Sequence, residues 1–364
     1  MAAGPGRVGL TTIAEAPVGH VDASFDTALL YLSRREVEIA CDALDVVADV
    51  AAALVAYETG NAIVPDEAYL TWSTGAGDSA RSLGMPGWLH LDQPCVGTKI
   101  INANPENPAR NGRPRASGLT VLFDPETGAP IAAMDAAVIS SLRTAAVSLL
   151  GIELLHDAGA SCVGLVGCGV QAHAHLQLLR ARGIVPDTVR IFDRNPAAMT
   201  RLRERFGGSG GLPIECARTA REAVEGADVV FTTTTTTTGY IGRDWLTEGA
   251  FVSHVSLDDL LPEVLLDCDR LYVDSVDLVA ADSRRILGRM LRDGRIVRPD
   301  VATPGTARKI DGQLGGILAG SVPRPRAGDT VVLNPFGLSI EDIAIASSVL
   351  RHAVEHGLGT RLEQ

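Results

Sequence analysis

The chain has 364 residues, of which 46% are hydrophobic and 21% are charged, and its formal net charge is −12. This composition is typical of a globular protein with more than one domain and excludes a disordered chain. The acidic charge argues against nucleic acid as a partner, because binding to a polyanion requires a basic surface. No apolar run approaches the roughly 18 residues of a membrane span, since Asp49 interrupts the longest candidate at 46–57. We therefore expect no membrane partner.

The cysteines and the first residues bear on the compartment. Six cysteines occur, at positions 41, 95, 162, 168, 216 and 268, without a CxxC pair or close clustering, so we expect reduced thiols. The N-terminal stretch carries Arg7 but no apolar segment of the kind that secretion requires. The sequence thus predicts a cytoplasmic protein. His173 and His175 stand two positions apart and would face different directions on a helix, and no metal site is predicted.

The first half of the chain mixes helical and strand patterns. Helical spacing of apolar residues predicts one amphipathic helix over 34–58. From 61 to 137 the pattern changes to short β-like runs separated by Gly, Pro and Asn, with strands at 119–123 and 130–134. A long helix at 138–157 follows and ends before Gly159.

From residue 160 onward, strands and helices alternate, which is typical of a parallel sheet with crossover helices. The predicted strands are Cys162–Val166, 189–193, Ile214–Cys216, 228–234, 250–255 and 271–273. The seven threonines at 232–238 are predicted to continue the fourth of these strands, because Thr is a good strand former. The chain then reads as a strand at 330–333, a turn, and a final helix at 340–356.

A glycine-rich loop of the form GxGxxA follows the strand Cys162–Val166 and opens a helix. Glycines let the backbone approach a pyrophosphate, and the helix N-terminus supplies free N–H groups. Asp193 lies 26 residues after Gly167, where a carboxylate would accept from ribose hydroxyls and repel a 2′-phosphate. The loop therefore predicts NAD as cofactor, while Arg194 beside Asp193 leaves NADP as the alternative. The predicted contacts in the loop are Gly167, Gly169, Val170 and Gln171.

Two further segments, around Lys99 and Arg143, are polar where the pattern predicts core. Lys99 is one of only two lysines beside 30 arginines, which suggests a site that requires an amine. Arg143 stands near the start of an otherwise apolar helix, a costly position unless an anion meets it. Either a ligand carboxylate or a structural ion pair would satisfy this arginine.

These segments, with others in the same order, resemble the ornithine cyclodeaminase/μ-crystallin family nearly end to end. The matching segments are Met-Pro at 85–86, Lys99 with Asn102, Arg-Ala-Ser-Gly at 115–118, Ser-Leu-Arg-Thr-Ala-Ala at 141–146, the glycine loop, and Gly-Leu-Ser-Ile-Glu-Asp at 337–342. Within the family, the chain resembles in particular the N-(2-amino-2-carboxyethyl)-L-glutamate dehydrogenases, which make 2,3-diaminopropionate for siderophores and peptide antibiotics. That likeness rests on the 115–118 run, the Asp-Pro-Glu-Thr turn at 124–127 and the tail from 333 onward.

The resemblance implies roles for residues in this sequence. Lys99 would be the acid/base, and Arg143 would bind the substrate carboxylate. An aspartate after the strand at 250–255 would activate water or take the amine proton, and both Asp258 and Asp259 occupy that place. The implied cofactor neighbours are Thr144 and Glu341, together with Thr233 and Thr234 at the carboxyl end of a strand.

One departure from the family concerns a second arginine that usually binds a carboxylate. Thr71 stands at that position in this chain. Either Arg81 or Arg115 compensates as a substrate-binding residue, or the substrate carries one carboxylate fewer in that region.

We therefore predict an α/β protein with two domains. A Rossmann NAD-binding domain would span 150–320, and an α+β domain of 1–149 with 321–364 would bind an amino-acid substrate and form a homodimer. The predicted reaction is the NAD-dependent oxidative cleavage of N-(2-amino-2-carboxyethyl)-L-glutamate to 2,3-diaminopropionate and 2-oxoglutarate. The alternatives are an ornithine cyclodeaminase, a ketimine or imine reductase of the same family, and a dinucleotide-binding protein without turnover.

Overall fold

The computed structural model describes residues 28–156, 159–301 and 307–363. The expectation for the N-terminal stretch around Arg7, and the predicted helix end at Asp157, lie outside these ranges. Within them, the chain forms two large sheets, with helices packed between and around them.

The first half contributes a mostly antiparallel sheet and the helices that cover it. Its elements in chain order are β1 Ala28–Leu32, α1 Arg34–Ala43, α2 Val46–Glu58, β2 Ala62–Ile63, β3 Ala68–Ser73, β4 Ser79–His90, β5 Pro94–Ala103, α3 Asn107–Arg110, β6 Ala116–Phe123, β7 Pro130–Asp135 and α4 Ala136–Leu155.

The second half alternates strands and helices before it returns to the first sheet. Its elements are β8 Cys162–Val166, α5 Val170–Ala181, β9 Thr188–Phe192, α6 Pro196–Phe206, β10 Ile214–Cys216, α7 Ala220–Val224, β11 Val229–Thr232, a 3₁₀ turn Arg243–Trp245, β12 Phe251–Ser253, α8 Pro262–Asp267, β13 Arg270–Val273, α9 Val276–Ala281, α10 Ile286–Arg292, β14 Ile296–Val297, β15 Arg308–Lys309, β16 Gly312–Gln313, α11 Leu314–Leu318, β17 Val331–Asn334, α12 Ser339–His356 and β18 Thr360–Glu363.

The predicted helix over 34–58 is wrong, because the structure divides it into α1 and α2. Leu44 has an extended backbone and ends α1. Asp45 then accepts hydrogen bonds from the backbone N–H groups of Val47 and Ala48. An aspartate at this position stabilises the start of a new helix, which interrupts the apolar spacing that the two helices share.

The first sheet has the order β18-β1-β7-β6-β5-β4-β2, with β3 also paired to β4. The sequence pattern predicted short runs here, but β4 and β5 are 12 and 10 residues long. Their glycines do not break the strands, because they make room for α12. A Cβ on Gly87 would lie 2.6 Å from Ser339 Oγ, and one on Gly97 would lie 3.3 Å from a side-chain carbon of Ile343.

The second sheet has the order β10-β9-β8-β11-β12-β17-β13-β16, and its strand pairs are parallel. This arrangement confirms the predicted α/β fold with a Rossmann-type sheet. The predicted strand over the threonine run is too long, since β11 ends at Thr232. Beyond it, Thr234 and Thr236 accept hydrogen bonds from the backbone N–H groups of Thr236 and Thr238. Such local bonds compete with sheet pairing and favour a loop.

The strand β17 differs from the predicted division of the chain. A boundary at residue 321 placed this strand with the outer domain, whereas it lies between β12 and β13 in the second sheet. The chain therefore returns to the first sheet only at α12, which packs on β4, β5 and β6.

Helix α4 connects the two halves and is long and apolar enough, by length and composition, to cross a membrane. However, 78% of its most apolar window is buried inside the protein. It packs against α2, α5 and α12, and its side chains belong to a core that includes residues of both sheets, such as Met134 and Leu165. Its composition is that of a central core helix.

Candidate active site

The glycine loop between β8 and α5 has the shape that a pyrophosphate requires. Gly167 has a φ of +95°, and a Cβ there would lie 2.7 Å from the carbonyl oxygen of Thr233. Gly169 begins α5, and a Cβ built on it would have no atom within 4 Å, so the space beside the helix N-terminus is open. Val170 is 60% exposed at the same edge. The loop therefore fits the phosphates of a dinucleotide.

Side chains that follow the two strands on either side of β8 hold this loop. Asp193, directly after β9, accepts from Cys168 N–H at 2.8 Å, and its other oxygen accepts from Asn195 N–H at 2.8 Å. Thr233, directly after β11, donates to the Gly167 carbonyl at 2.7 Å. The structure thus brings Asp193 and Thr233 to the loop, and the exposed Arg194 lies next to them.

A buried cluster of charges forms where β5, α4 and α12 meet. Lys99 is 1% exposed, and its Nζ donates to Asp342 Oδ2 at 2.7 Å. Arg143 Nη1 donates to Glu341 Oε2 at 3.1 Å, and Arg143 Nε lies 3.5 Å from Asp342 Oδ2. Three residues singled out from the sequence, Lys99, Arg143 and Glu341, are therefore in one cluster, with Asp342 joining them.

The cluster changes the proton affinity of its members. Burial lowers the pKa of Lys99, and the neighbouring Arg143 lowers it further against the opposing effect of Asp342. Burial also raises the pKa of Glu341 to about 8, with Asp274 and Asp342 adding to the rise and Arg143 opposing it. Glu341 can therefore exchange a proton near neutral pH.

The hydrogen bonding of this cluster is incomplete among the described residues. Arg143 Nε, Glu341 Oε1 and Asp342 Oδ1 are buried and have no hydrogen-bond partner. Gly337 lies directly against Arg143, where a Cβ would clash with the guanidinium. Buried polar atoms without partners are rare in proteins, so this cluster is suited to a polar ligand.

A second group of charges comprises Arg81 on β4, Arg115 directly before β6 and Arg285 directly before α10. Thr71, the residue that departs from the family pattern, pairs across strands with Arg81. Burial lowers the pKa of Arg115, and the positive charges of Arg81 and Arg285 lower it further. Arg115 Nε is buried without a hydrogen-bond partner. Three neighbouring guanidinium groups, Arg81, Arg115 and Arg285, favour an anionic ligand.

The two candidate aspartates after β12 have different surroundings. Asp258 binds Arg285 at 2.8 Å, the backbone N–H of Ile286 at 3.0 Å, and Arg289 at 3.4 Å. Asp259 accepts from the hydroxyls of Thr234 and Tyr240, each at 2.8 Å.

The backbone between β12 and these aspartates is held in a fixed form. Leu257, the residue before them, has a φ of +70°. His254 Nε2 accepts from the backbone N–H of Asp259 at 3.0 Å, and its Nδ1 lies 3.0 Å from Asn334 Oδ1. Burial lowers the pKa of His254 to about 3, so the ring stays neutral. This histidine is a positioning residue for the loop.

The structure shows a contact for one more predicted site residue and adds residues that the sequence analysis missed. The Thr144 hydroxyl donates to the Ser140 carbonyl within α4, at 2.8 Å. Arg285, Glu67 and Asp282 did not stand out in the sequence. The signal available for two of them was the polar run 282–285, which separates the apolar helices α9 and α10.

Comparisons with known proteins identify the family. The sequence model of the ornithine cyclodeaminase/mu-crystallin family matches residues 28–357. The chain belongs to this family. Among its relatives, the N-((2S)-2-amino-2-carboxyethyl)-L-glutamate dehydrogenase of Staphylococcus aureus is 31% identical, over 92% of this chain and 98% of the relative.

Solved structures agree with the family assignment. The crystal structure of CmnK is 36% identical, has a TM-score of 0.84, and matches 93% of this chain and 98% of its own. An archaeal alanine dehydrogenase dimer with bound NAD is 25% identical, with a TM-score of 0.77 over 92% of this chain and 99% of its own. The predicted family, fold and cofactor are confirmed, and the protein is an NAD-dependent oxidoreductase of this family.

Proposed function

We propose that this family member catalyses the NAD-dependent oxidative cleavage of N-(2-amino-2-carboxyethyl)-L-glutamate to 2,3-diaminopropionate and 2-oxoglutarate. The observation that carries the proposal is the cluster of Arg81, Arg115 and Arg285, a second group of cations besides Arg143. Arg81 lies on β4, which pairs with the Lys99 strand β5, Arg115 directly precedes β6, and Arg285 directly precedes α10. This substrate has three carboxylates. Two separate arginine sites are better suited to such a substrate than to one with a single carboxylate. The name of the Staphylococcus aureus relative supports the same reaction.

The cofactor would lie along the carboxyl edge of the second sheet, against the glycine loop. Gly167, Gly169, Val170 and Gln171 would hold its phosphates, and Asp193 would bind the adenosine ribose, with Arg194 at the rim. Thr144, Thr233, Thr234 and Glu341 are proposed as neighbours toward the reacting end. When bound, NAD supplies the hydride acceptor for the glutamyl α-carbon.

Lys99 and Arg143 would act on the two functional groups at the reacting carbon. Arg143 would bind the α-carboxylate and fix that carbon in place. Lys99 would accept the proton of the secondary amine as the carbon–nitrogen bond is oxidised, because its lowered pKa favours the neutral amine that a base requires. Asp342, which accepts a hydrogen bond from Lys99 Nζ, would orient the side-chain amine of Lys99.

We assign the activation of water to Asp258 rather than Asp259. Asp258 shares Arg285 with the arginine cluster and therefore lies on the substrate side. Asp259 is hydrogen-bonded to Thr234 and Tyr240 of the Rossmann half, so its role would be to position the loop that follows β11. Arg81 and Arg115 would bind the other carboxylates, and Arg81 would take over the function of the arginine that Thr71 replaces.

We also propose that the first sheet, with α12, forms the substrate-binding and dimerisation domain of a cytoplasmic homodimer. The face of this sheet opposite Lys99 exposes Leu70, Trp72, Ile100 and Leu119, and each is more than 40% exposed. Ile100 and Leu119 are direct cross-strand partners, so they form one apolar surface. A second copy of the chain would cover it. The similar archaeal alanine dehydrogenase is described as a dimer.

The reaction is tested by its net redox change. With N-(2-amino-2-carboxyethyl)-L-glutamate and excess NAD, we expect NADH absorbance to rise in step with 2-oxoglutarate, at one equivalent each. Ornithine serves as the comparison substrate, because cyclodeamination returns its hydride and leaves no NADH. Release of proline and ammonia from ornithine without NADH build-up, and no oxidation of the first compound, would overturn the proposed function and leave the family unchanged.

The preference for NAD is tested at Asp193. A carboxylate beside the ribose repels a 2′-phosphate, so NADH should bind at least about tenfold more tightly than NADPH in a fluorescence titration. Asp193→Asn removes the charge but keeps an acceptor for Cys168 N–H, and it should narrow this ratio without loss of NADH binding. Equal affinity of the wild-type protein for both dinucleotides contradicts the assignment of Asp193.

A further inference from the structure

A cavity of about 320 Å³ lies between β3 and the segment that joins α9 to α10, and the roles given above do not use it. Its lining includes Asp66, Glu67 and Tyr69 from the first half, and Asp282, Arg284 and Phe336 from the second. Phe336 directly precedes Gly337, which contacts Arg143. The cavity therefore adjoins the buried charge cluster of Lys99 and Arg143.

Asp282 is the buried carboxylate of this cavity, and only one of its oxygens is used. The residue is 7% exposed, and its Oδ1 accepts from the backbone N–H of Arg284 at 2.7 Å and from Arg284 Nε at 2.9 Å. Its Oδ2 is buried and has no hydrogen-bond partner among the described residues. A buried carboxylate oxygen without a donor is unfavourable unless a ligand supplies one.

Glu67 brings a second carboxylate to the same cavity. Arg284 Nη2 lies 4.0 Å from Glu67 Oε2, which is too far for a hydrogen bond, and the guanidinium instead stacks on Tyr69 at 4.2 Å. Burial raises the pKa of Glu67, and the charges of Lys99, Arg284 and Arg143 counter this rise, which places the carboxylate near the reacting groups. The cavity lining thus has three carboxyl groups, on Asp66, Glu67 and Asp282, and one guanidinium group, on Arg284.

We propose that Asp282 and Glu67 form a binding site for a primary ammonium group of the substrate. On the proposed function, this group is the α-ammonium of the 2-amino-2-carboxyethyl half. An ammonium has three N–H donors and a positive charge, which would satisfy Asp282 Oδ2 and offset the excess of carboxylates. The site would make the enzyme selective for secondary amines that carry a second, primary amine, and it would discriminate against substrates that lack one.

The experiment compares two ligands that differ only in this ammonium. N-(2-amino-2-carboxyethyl)-L-glutamate and N-(2-carboxyethyl)-L-glutamate are titrated into the full-length protein saturated with NADH, by calorimetry. We expect the first compound to bind about ten- to a hundredfold more tightly to the wild type, as a charge-assisted hydrogen bond requires. Asp282→Asn keeps the acceptor for Arg284 and should reduce this ratio toward one. Glu67→Gln should reduce it in part.

Asp277→Asn is the matched control. Like Asp282→Asn, it replaces a carboxylate by an amide. The Asp277 side chain lies on α9, is 71% exposed, pairs with Arg298 and does not line the cavity. It should leave the ratio unchanged. An unchanged ratio in Asp282→Asn, or a wild-type ratio near one, overturns the ammonium site.

The outcomes separate this inference from the proposed function. If the wild type forms NADH from both compounds equally well, the proposed reaction class stands and the ammonium site falls. If binding depends on the ammonium and on Asp282 but no NADH forms with NAD, the site stands and the proposed reaction falls. If neither compound binds, both are overturned.

Discussion

Lys99→Met is expected to lower kcat by about 10²–10⁴-fold, the range in which a positioned acid/base contributes to catalysis. Methionine retains the length and apolar stem of the side chain at a position that is 1% exposed, and Arg143 Nε remains 3.5 Å from Asp342, so the fold should persist with reduced stability. NAD binding should change little, because the glycine loop and Asp193 do not contact Lys99 in the structure. The measurements are kcat from initial NADH formation and the dissociation constant for NADH.

The pH dependence of the wild type adds a second readout to this variant. A base must be neutral to accept a proton, so kcat should rise with pH through the pKa of Lys99, which burial holds below its ordinary value. Lys99→Met should remove that rise. Lys309→Ala is the matched control, since Lys309 is the only other lysine and donates to the Val301 carbonyl on the surface. Near-full activity of Lys99→Met is incompatible with the mechanism.

Arg143→Met is expected to reduce both substrate binding and stability. It removes the partner of Glu341 and a neighbour of Asp342, both of which are fully buried. Breaking a buried pair by removal of one partner reduces the free energy of unfolding by about 3–5 kcal/mol. Loss of the carboxylate contact should also raise KM. Chemical denaturation and steady-state kinetics measure the two effects.

The stability loss in Arg143→Met should depend on pH in a defined direction. Glu341 has a pKa of about 8 in the folded protein, above its ordinary value of 4.5, so at pH 6 it is largely protonated and has no charge to leave unpaired. At pH 9 it is ionised in the wild type beside Arg143. The difference in free energy of unfolding between wild type and variant should therefore be larger at pH 9 than at pH 6.

Arg143→Lys provides the control for charge alone. A lysine retains the positive charge, so much of the stability should return, but it cannot make the bidentate contact that a carboxylate favours, and KM should remain high. A variant Arg143→Met with wild-type KM and reduced stability would show that this arginine is only a structural ion-pair partner. That was the alternative interpretation of Arg143 in the sequence, and the structure does contain the ion pair.

Features with local causes were predicted well from the sequence. The strand Cys162–Val166 was predicted with the bounds that the structure shows, because a short apolar run bounded by a glycine loop depends only on neighbouring residues. Local sequence patterns also predict the glycine loop, the alternation of strands and helices, and the unusual position of Lys99. The break at Asp45 was missed, since helix spacing continues across it and only the capping contact ends the first helix.

The Rossmann half, the cofactor loop and the unusual polar residues Lys99 and Arg143 are predictable from local patterns in the chain. The groups that contact Lys99 and Arg143 are not, because they depend on tertiary packing. Lys99 and Asp342 are 243 residues apart, and Arg143 and Glu341 are 198 apart, so their pairing depends on how β5, α4 and α12 pack. The packing of distant elements also produces the position of β17 within the second sheet and the cavity between Glu67 and Asp282. Local patterns encode elements, but charge pairing and burial arise only when distant elements are packed together, because both depend on distance and on the exclusion of water.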